Sequence, residues 1–273
     1  MFDLADLIIS VPVLADLIIS VPVLADLIIS VPVLLLKILI RPPETDFFAA
    51  WLLVTFVYAT TWLLIVGVFA YLDLYGIGLS HRINTSHFMT PTRRYSLTYY
   101  VACVSDFVLF LFPATCVFLA LSWPFLGDLS SFPGAKDASI AVVWTLVSRF
   151  CFYTVHRAMH ANAFLYEHVH KHHHVHKHFL VAVDNDDVTL AEVGLSALLP
   201  QVVSTAVAWC IFGPLSLAAS TVRIVIEVAS SLMYHSGYDF VPGARHHSVH
   251  HAKVNGNYGD WWLDRCFGTC IDI

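Results

Sequence analysis

Charge is what this sequence has least of. Only 12% of its 273 residues are Asp, Glu, Lys or Arg, against roughly a quarter in ordinary soluble domains. A chain so poor in ionised groups cannot coat a water-facing globule of this size. The little charge present is acidic on balance: 14 Lys and Arg against 20 Asp and Glu give a formal net charge of -6, so no general basic patch for nucleic acid exists. Cysteine is scarce too. The six are scattered, mostly in apolar runs, and the close pair Cys266 and Cys270 has no second pair to complete a zinc site. Nothing builds a disulfide framework, and the thiols read as free and buried. A second Glu-x-x-His is also missing, Glu167 to His170 being the lone match. The carboxylate-rich di-metal site of soluble four-helix bundles needs two such motifs and two further glutamates, and is excluded.

What fills the chain is apolar residues, 58% of the total. They gather into runs long enough to cross a bilayer as helices, which takes about 20 residues: Phe47–Leu72, Tyr95–Leu121, Ala138–Val155, Val188–Phe212 and Leu215–Tyr234. The fold class expected is all-α: a polytopic membrane protein with about four to five transmembrane helices, since only helices and closed barrels satisfy the backbone in lipid. Three regions follow. Residues 1–40 are a repetitive apolar N-terminal segment, residues 41–137 carry helices one and two with their loops, and residues 138–273 carry the remaining helices and most of the histidines. The N-terminal segment repeats "ADLIISVPVL" three times from Ala5 to Leu34. Ten residues advance roughly 280° on a helix, so Asp6, Asp16 and Asp26 share no face, and Pro12, Pro22 and Pro32 would interrupt it. It reads as a tandem duplication or a gene-model error, with an extra membrane segment as the alternative. Without a basic stretch before it, it makes a poor signal peptide.

Histidine carries the chemistry. The stretch "HRAMHANAFLYEHVHKHHHVHKHF", His156 to Phe179, holds more than half of the chain's 16 histidines. Helical neighbours lie at i, i+3 and i+4. His156 and His160 are therefore one pair, and His170, His173 and His174 are the only register of the dense cluster that reads H-x-x-H-H. The same spacing recurs once, as His247, His250 and His251, and His235 ends the last apolar run. A metal ion is satisfied by three or four such ligands, so these histidines imply two metals; imidazole suits iron, zinc and copper alike. His168, His172, His176 and His178 fall off the ligand face and, with His246, His81 and His87, read as solvated or headgroup-facing. No catalytic residue beyond the ligands stands out. Inside the runs, Arg149 and Asp106 are expected to pair across helices, and Arg223 with Glu227 one turn apart.

In this order the motifs resemble the fatty acid hydroxylase/sterol desaturase superfamily. The resemblance runs from about Arg149 to Thr269 through "HRAMH", "LYEHVHKHHH", "HSGYDF", "HHSVHH", "GNYG" and "WWLDRCFGT". It implies a membrane-bound, non-haem di-iron oxidoreductase of the endoplasmic reticulum that uses dioxygen to hydroxylate, desaturate or demethylate a sterol or fatty acyl lipid. Electrons would come from NAD(P)H through a membrane-associated haem protein and its reductase. Carried over, the iron ligands are His156, His160, His170, His173, His174, His235, His247, His250 and His251. Where many sterol-oxidising members have His-Pro-x-Glu, this chain has Thr189 and Leu190 with Glu192 kept. Ser231 stands where the fatty acid hydroxylase branch has a histidine four before His235. "HSGYDF" and "GNYG" fit the sterol branch better, a sterol 4-methyl oxidase or sterol desaturase.

Placing the histidine loops on one side gathers Arg82, Arg93, Arg94, Arg157, Lys171, Lys177, Arg245, Lys253 and Arg265 there, against Lys37, Arg41 and Lys136 opposite. By the positive-inside rule the histidines face the cytosol. Two rival readings are a metal transporter with a histidine-rich loop and an inactive sterol-binding scaffold. A transporter loop needs histidine density but no spaced partners elsewhere, and ligating groups in transporters sit at mid-membrane, so the second H-x-x-H-H speaks against it.

Overall fold

A computed structural model describes residues 47–83, 96–128 and 134–272. The repetitive segment 1–40 lies outside the described residues, as do His87, Arg93 and Arg94. The described chain is mostly helical: α1 (Phe47–Tyr75), α2 (Leu97–Ser122), α3 (Ala135–Ala161), α4 (Leu190–Phe212), α5 (Leu217–Tyr234), α6 (Ala244–Lys253) and α7 (Trp261–Cys266). The helices α1, α3, α4 and α5 are long and apolar enough to cross a membrane. The bent pair Leu97–Phe110 and Pro113–Phe125 makes a fifth where the two halves are counted as one span. The bend of 42° coincides with Pro113, which has no N–H to give and whose ring crowds the preceding turn.

Local chemistry sets the helix ends. Ser96 caps α2 by accepting the Tyr99 N–H, Thr189 caps α4 by accepting the Glu192 N–H, and Ser216 caps α5 by accepting the Ala219 N–H; each satisfies an amide the helix cannot. Near its start α4 passes through a π-helical turn, Val193–Leu198. Pro200 follows it, which cannot support regular pairing with the turn before.

The spans form an up-and-down bundle. α3 packs on α4 and α5, and α1 packs on α2 and α5. Trp144 of α3 is fully buried against Ala208, Leu215 and Ala219, and its indole N–H donates to Ser204 Oγ at 3.2 Å. Small residues here let the backbones approach closely, as helix packing in lipid requires. A short parallel pairing, Leu126 with Leu215 and Asp128 with Ser216, ties the start of α5 to the connection before α3. The opposite ends of α3 and α5 carry histidines. There Arg82 fastens α1 to the site: it ion-pairs with buried Asp73 and donates to the Leu180 and Ser236 carbonyls at 2.8 and 2.6 Å.

The charge pairing inside the bundle differs from expectation. Asp106 lies on the exposed face of α2, out of the interior of the bundle. Arg149 instead meets Glu227 of α5 at 3.2 Å, Asp260 at 3.8 Å and the Ser230 hydroxyl. Because α3 packs on α5, the carboxylates within reach come from α5 and the segment before α7. The expected neighbour Arg223 does reach Glu227, at 3.5 Å, and also donates to Ser148 at 2.9 Å.

Candidate metal centre

The last two turns of α3 bring His156 and His160 to the end of the bundle. The chain then turns back: Asn162 caps the next turn by accepting the Leu165 N–H at 3.1 Å, a π-helical stretch covers Tyr166–His170, and a 3-10 turn covers His173–Val175. His235 follows the last residue of α5, and α6 supplies His247, His250 and His251. These nine side chains gather into two groups. One nitrogen each from His156, His160, His170, His174 and His250 lie within 4.8 Å of one another, and likewise His173, His235, His247 and His251. The groups adjoin, with the His174 and His251 rings 4.6 Å apart.

Each H-x-x-H-H is split between the groups. The i, i+4 pair His170 and His174 goes to the five-histidine group while His173 goes to the other; on α6 the pair His247 and His251 goes to the four-histidine group while His250 goes to the first. On α6, residues at i and i+4 lie about 40° apart around the helix, and i+3 falls about 60° to the other side. One turn can therefore straddle two centres.

Hydrogen bonds at Nδ1 turn Nε2 of five of the rings inward. Nδ1–H of His156 donates to the Tyr258 carbonyl at 2.5 Å, His250 to Gly256 at 2.7 Å, His235 to Ser231 at 3.0 Å and His251 to His176 at 3.1 Å. His170 Nδ1 pairs with Glu192 Oε1 at 2.6 Å. A carbonyl only accepts, so the Nδ1 atoms of His156, His235, His250 and His251 carry the proton and, in a neutral ring, Nε2 carries a bare lone pair. These lone pairs converge: His235 Nε2 and His251 Nε2 lie 2.8 and 3.1 Å from His247 Nε2, which can donate to only one of them. Two lone pairs at such a distance repel. Imidazoles sharing an ion through bonds of about 2.1 Å at right angles stand about 3.0 Å apart, so the spacing is that of ligands. Among the described residues, His250 Nε2 and both nitrogens of His160 are buried without a hydrogen-bond partner, an arrangement that costs free energy unless a cation meets them.

The protonation state fits the same use. Burial foremost, and then neighbouring imidazoles, hold His173 down to about 3. Burial also holds His235 down to about 4. It drives His170, His174, His247, His250 and His251 down as well. All are neutral at pH 7, as ligands must be.

The turn from Gly256 to Gly259 holds the rings in place. Its Asn257 is clamped on both sides, donating to the His246 and Ile271 carbonyls at 3.1 and 2.9 Å and accepting the Ile271 N–H at 2.7 Å. Gly256 has φ 109, and a Cβ there would lie 2.8 Å from the Thr269 carbonyl, so only glycine fits. Asp264 accepts from Tyr258 N, Gly259 N, Thr269 Oγ1 and His246 Nε2, at 2.7 to 3.0 Å. Burial alone would raise the pKa of Asp264, but these donors together bring it below the ordinary carboxylate value.

Three expectations need correction or addition. His246 is not solvent-facing, because it is half-buried on Asp264. His176 is turned in onto Asp187 at 2.8 Å; His172, on the other oxygen of that carboxylate at 2.8 Å, and His168, bonded to the Phe164 carbonyl within its own turn, stand exposed as expected. Glu192, Asp264 and the carbonyls of Gly256 and Tyr258 were not read from sequence as parts of the site. The available signal for Glu192 was a carboxylate set in an apolar run, where charge is costly.

Residues 141–269 match the family model described as fatty acid hydroxylase. Over 142 residues, 45% of this chain, it is 30% identical to a Dictyostelium discoideum protein provisionally assigned as a methylsterol monooxygenase. It is 29% identical over 144 residues to a methylsterol monooxygenase of Aspergillus fumigatus, and 38% identical over 61 residues, 18% of this chain, to methylsterol monooxygenase 1 of Rattus norvegicus. The first two matches each span 47% of the relative, the third 20%, so the chain spans at most about half the length of the curated relatives it matches. No solved structure matches it.

Proposed function

Through residues 141–269 the chain belongs to the fatty acid hydroxylase/sterol desaturase superfamily, and from that premise we propose that it is a membrane-bound di-iron oxidase of a sterol, of the methyl-oxidising or desaturating type. The observation that carries the reading is the pair of adjoining histidine groups with Nδ1 of four rings protonated and Nε2 lone pairs converging. His156, His160, His170, His174 and His250 would hold one iron, and His173, His235, His247 and His251 the other. Bound there, the irons supply activation of dioxygen for attack on an unactivated C–H bond. The chain's part is to keep the imidazoles neutral, aim them through carbonyls and Glu192, and exclude water by burial.

The names of the relatives support a sterol over a fatty acyl chain as substrate. The departure at Thr189 and Leu190 does not weaken the site, because Thr189 caps α4 and accepts the Glu192 N–H, and Glu192 still reaches His170. That supports an active enzyme over an inactive scaffold. The charge pattern supports a cytosolic site, with Arg157, Lys171, Arg245 and Lys253 among the residues on the histidine side, as an enzyme of the endoplasmic reticulum fed with NAD(P)H electrons by a haem protein requires.

Metal analysis of the purified chain with sterol profiling of a deletion strain tests the proposal. Two irons per chain and an accumulating methylsterol are expected. Zinc in place of iron, or an unchanged sterol profile, would refute it.

A further inference from the structure

Beside His247 the protein surface opens into a cavity of about 270 Å³, its wall including Tyr234, Asp260, Trp261 and Trp262. His247, of the four-histidine group, forms part of its wall, so the cavity borders the candidate metal centre. At roughly 30 Å³ per water it has room for about nine. That is less than the ~300–1,000 Å³ of pockets that swallow a whole drug-sized ligand, so it takes one end of a long molecule.

The polar wall is specific in kind. Asp260 Oδ1 accepts the Tyr234 hydroxyl at 2.9 Å and stands 3.8 Å from Arg149. Its other oxygen, Oδ2, makes no hydrogen bond among the described residues. The Arg149 guanidinium is already taken up by Glu227 at 3.2 Å and by Ser230, so it is not offered to a ligand. Asp260 thus brings to the cavity wall a carboxylate with one oxygen not engaged among the described residues. Trp261 and Trp262, 54% and 41% exposed, stand on the side where the spans α3 and α5 end. There amphipathic aromatic rings sit at headgroup level.

We propose that this cavity receives the hydroxyl-bearing end of a lipid alcohol, a sterol on the reading of function above, with Asp260 Oδ2 accepting the hydroxyl's hydrogen bond. A hydroxyl donates to a carboxylate, whereas the carboxylate head of a free fatty acid meets it as a like charge. A site built around a hydroxyl rejects the analogue lacking it strongly, because its own polar group is left unpaired. The rest of the molecule stays in the membrane.

The test is binding to the full purified chain in lipid nanodiscs, read by tryptophan fluorescence and needing no turnover. The probes are cholesterol, cholestane, which has the same skeleton without the hydroxyl, and oleate. Cholesterol is expected to bind at least about tenfold more tightly than either. Asp260→Ala is expected to abolish the preference, and Tyr234→Phe, which leaves the acceptor in place, to keep it. Should Asp260→Ala fail to accumulate, a photoreactive cholesterol on the unaltered protein decides, with label expected on Tyr234 or on residues 259–262. Equal binding of cholestane, tighter binding of oleate, a preference that survives in Asp260→Ala, or label confined elsewhere overturns the inference. Hydroxyl-independent binding by a protein that holds iron and oxidises sterols overturns this inference alone. Hydroxyl-selective binding by a protein that takes up no iron overturns the proposed function alone.

Discussion

Replacing Glu192 by Gln is expected to separate two properties of this protein. Glu192 is 2% exposed, and Oε1 pairs with His170 Nδ1 at 2.6 Å. An ionised carboxylate behind an imidazole raises its basicity as a ligand, and removing such a partner typically costs about 10- to 100-fold in metal affinity. Gln still offers a carbonyl oxygen to Nδ1–H, so the loss should sit at the lower end, about tenfold or ~1.4 kcal/mol. In the metal-free protein that loss does not arise. There Oε2 is buried without a partner among the described residues whether the carboxyl group is charged or neutral, and a neutral amide of the same shape costs no more to bury. The variant should therefore hold iron more weakly and melt at the same or a higher temperature once stripped of metal. Iron retention against graded chelator and thermal unfolding of the stripped protein read the two quantities. If both fall together, Glu192 is a structural residue and the argument for its role behind His170 fails.

Other consequences are sharper in kind. The imidazoles of His173 and His235 have folded values near 3 and 4, below the ordinary 6.5, so the unfolded chain binds protons first as the pH falls. Stability of the metal-free protein should be full above about pH 6.5 and decline steadily between there and about pH 4; a melting temperature that stays flat from pH 7 to pH 5 would contradict the burial described. Arg149→Leu leaves Glu227 and Asp260 facing each other without their cation. Breaking a buried pair from one side costs about 3–5 kcal/mol, so little folded protein should be extracted from membranes; normal yield would show that the pairing is dispensable. His250→Ala should strip iron from the five-histidine group, whereas His176→Ala, which loses its contacts with Asp187 and Asp184, should keep its iron content; the reverse ranking in metal analysis would favour a metal-collecting loop.

The spans were legible because lipid demands long apolar runs, and their ends fell within three residues of those read from the sequence, except that α3 runs six residues past Val155 to Ala161. The nine histidines were legible because helical spacing repeats. What spacing could not tell was that one turn serves two groups: that depends on where the partner segments stand around the helix, and those partners are far apart in sequence. The carbonyls of Gly256 and Tyr258 were invisible for a simpler reason, since every residue has one and only the fold says which is aimed at a ring. The roles of His246 and of Arg149 were misread because their partners, Asp264 and Asp260, lie beyond the segments in which local pairing can be judged.

Four imidazoles are steered by main-chain oxygens, those of His176, Ser231, Gly256 and Tyr258. Such an acceptor survives any change of side chain at its own position, so the aim of these rings tolerates drift in residue identity there. It yields only to changes that bend the chain itself. Sensitivity should concentrate instead where the path of the backbone is secured, at Gly256 with its left-handed φ and at the Asn257 and Asp264 side chains that pin the turn.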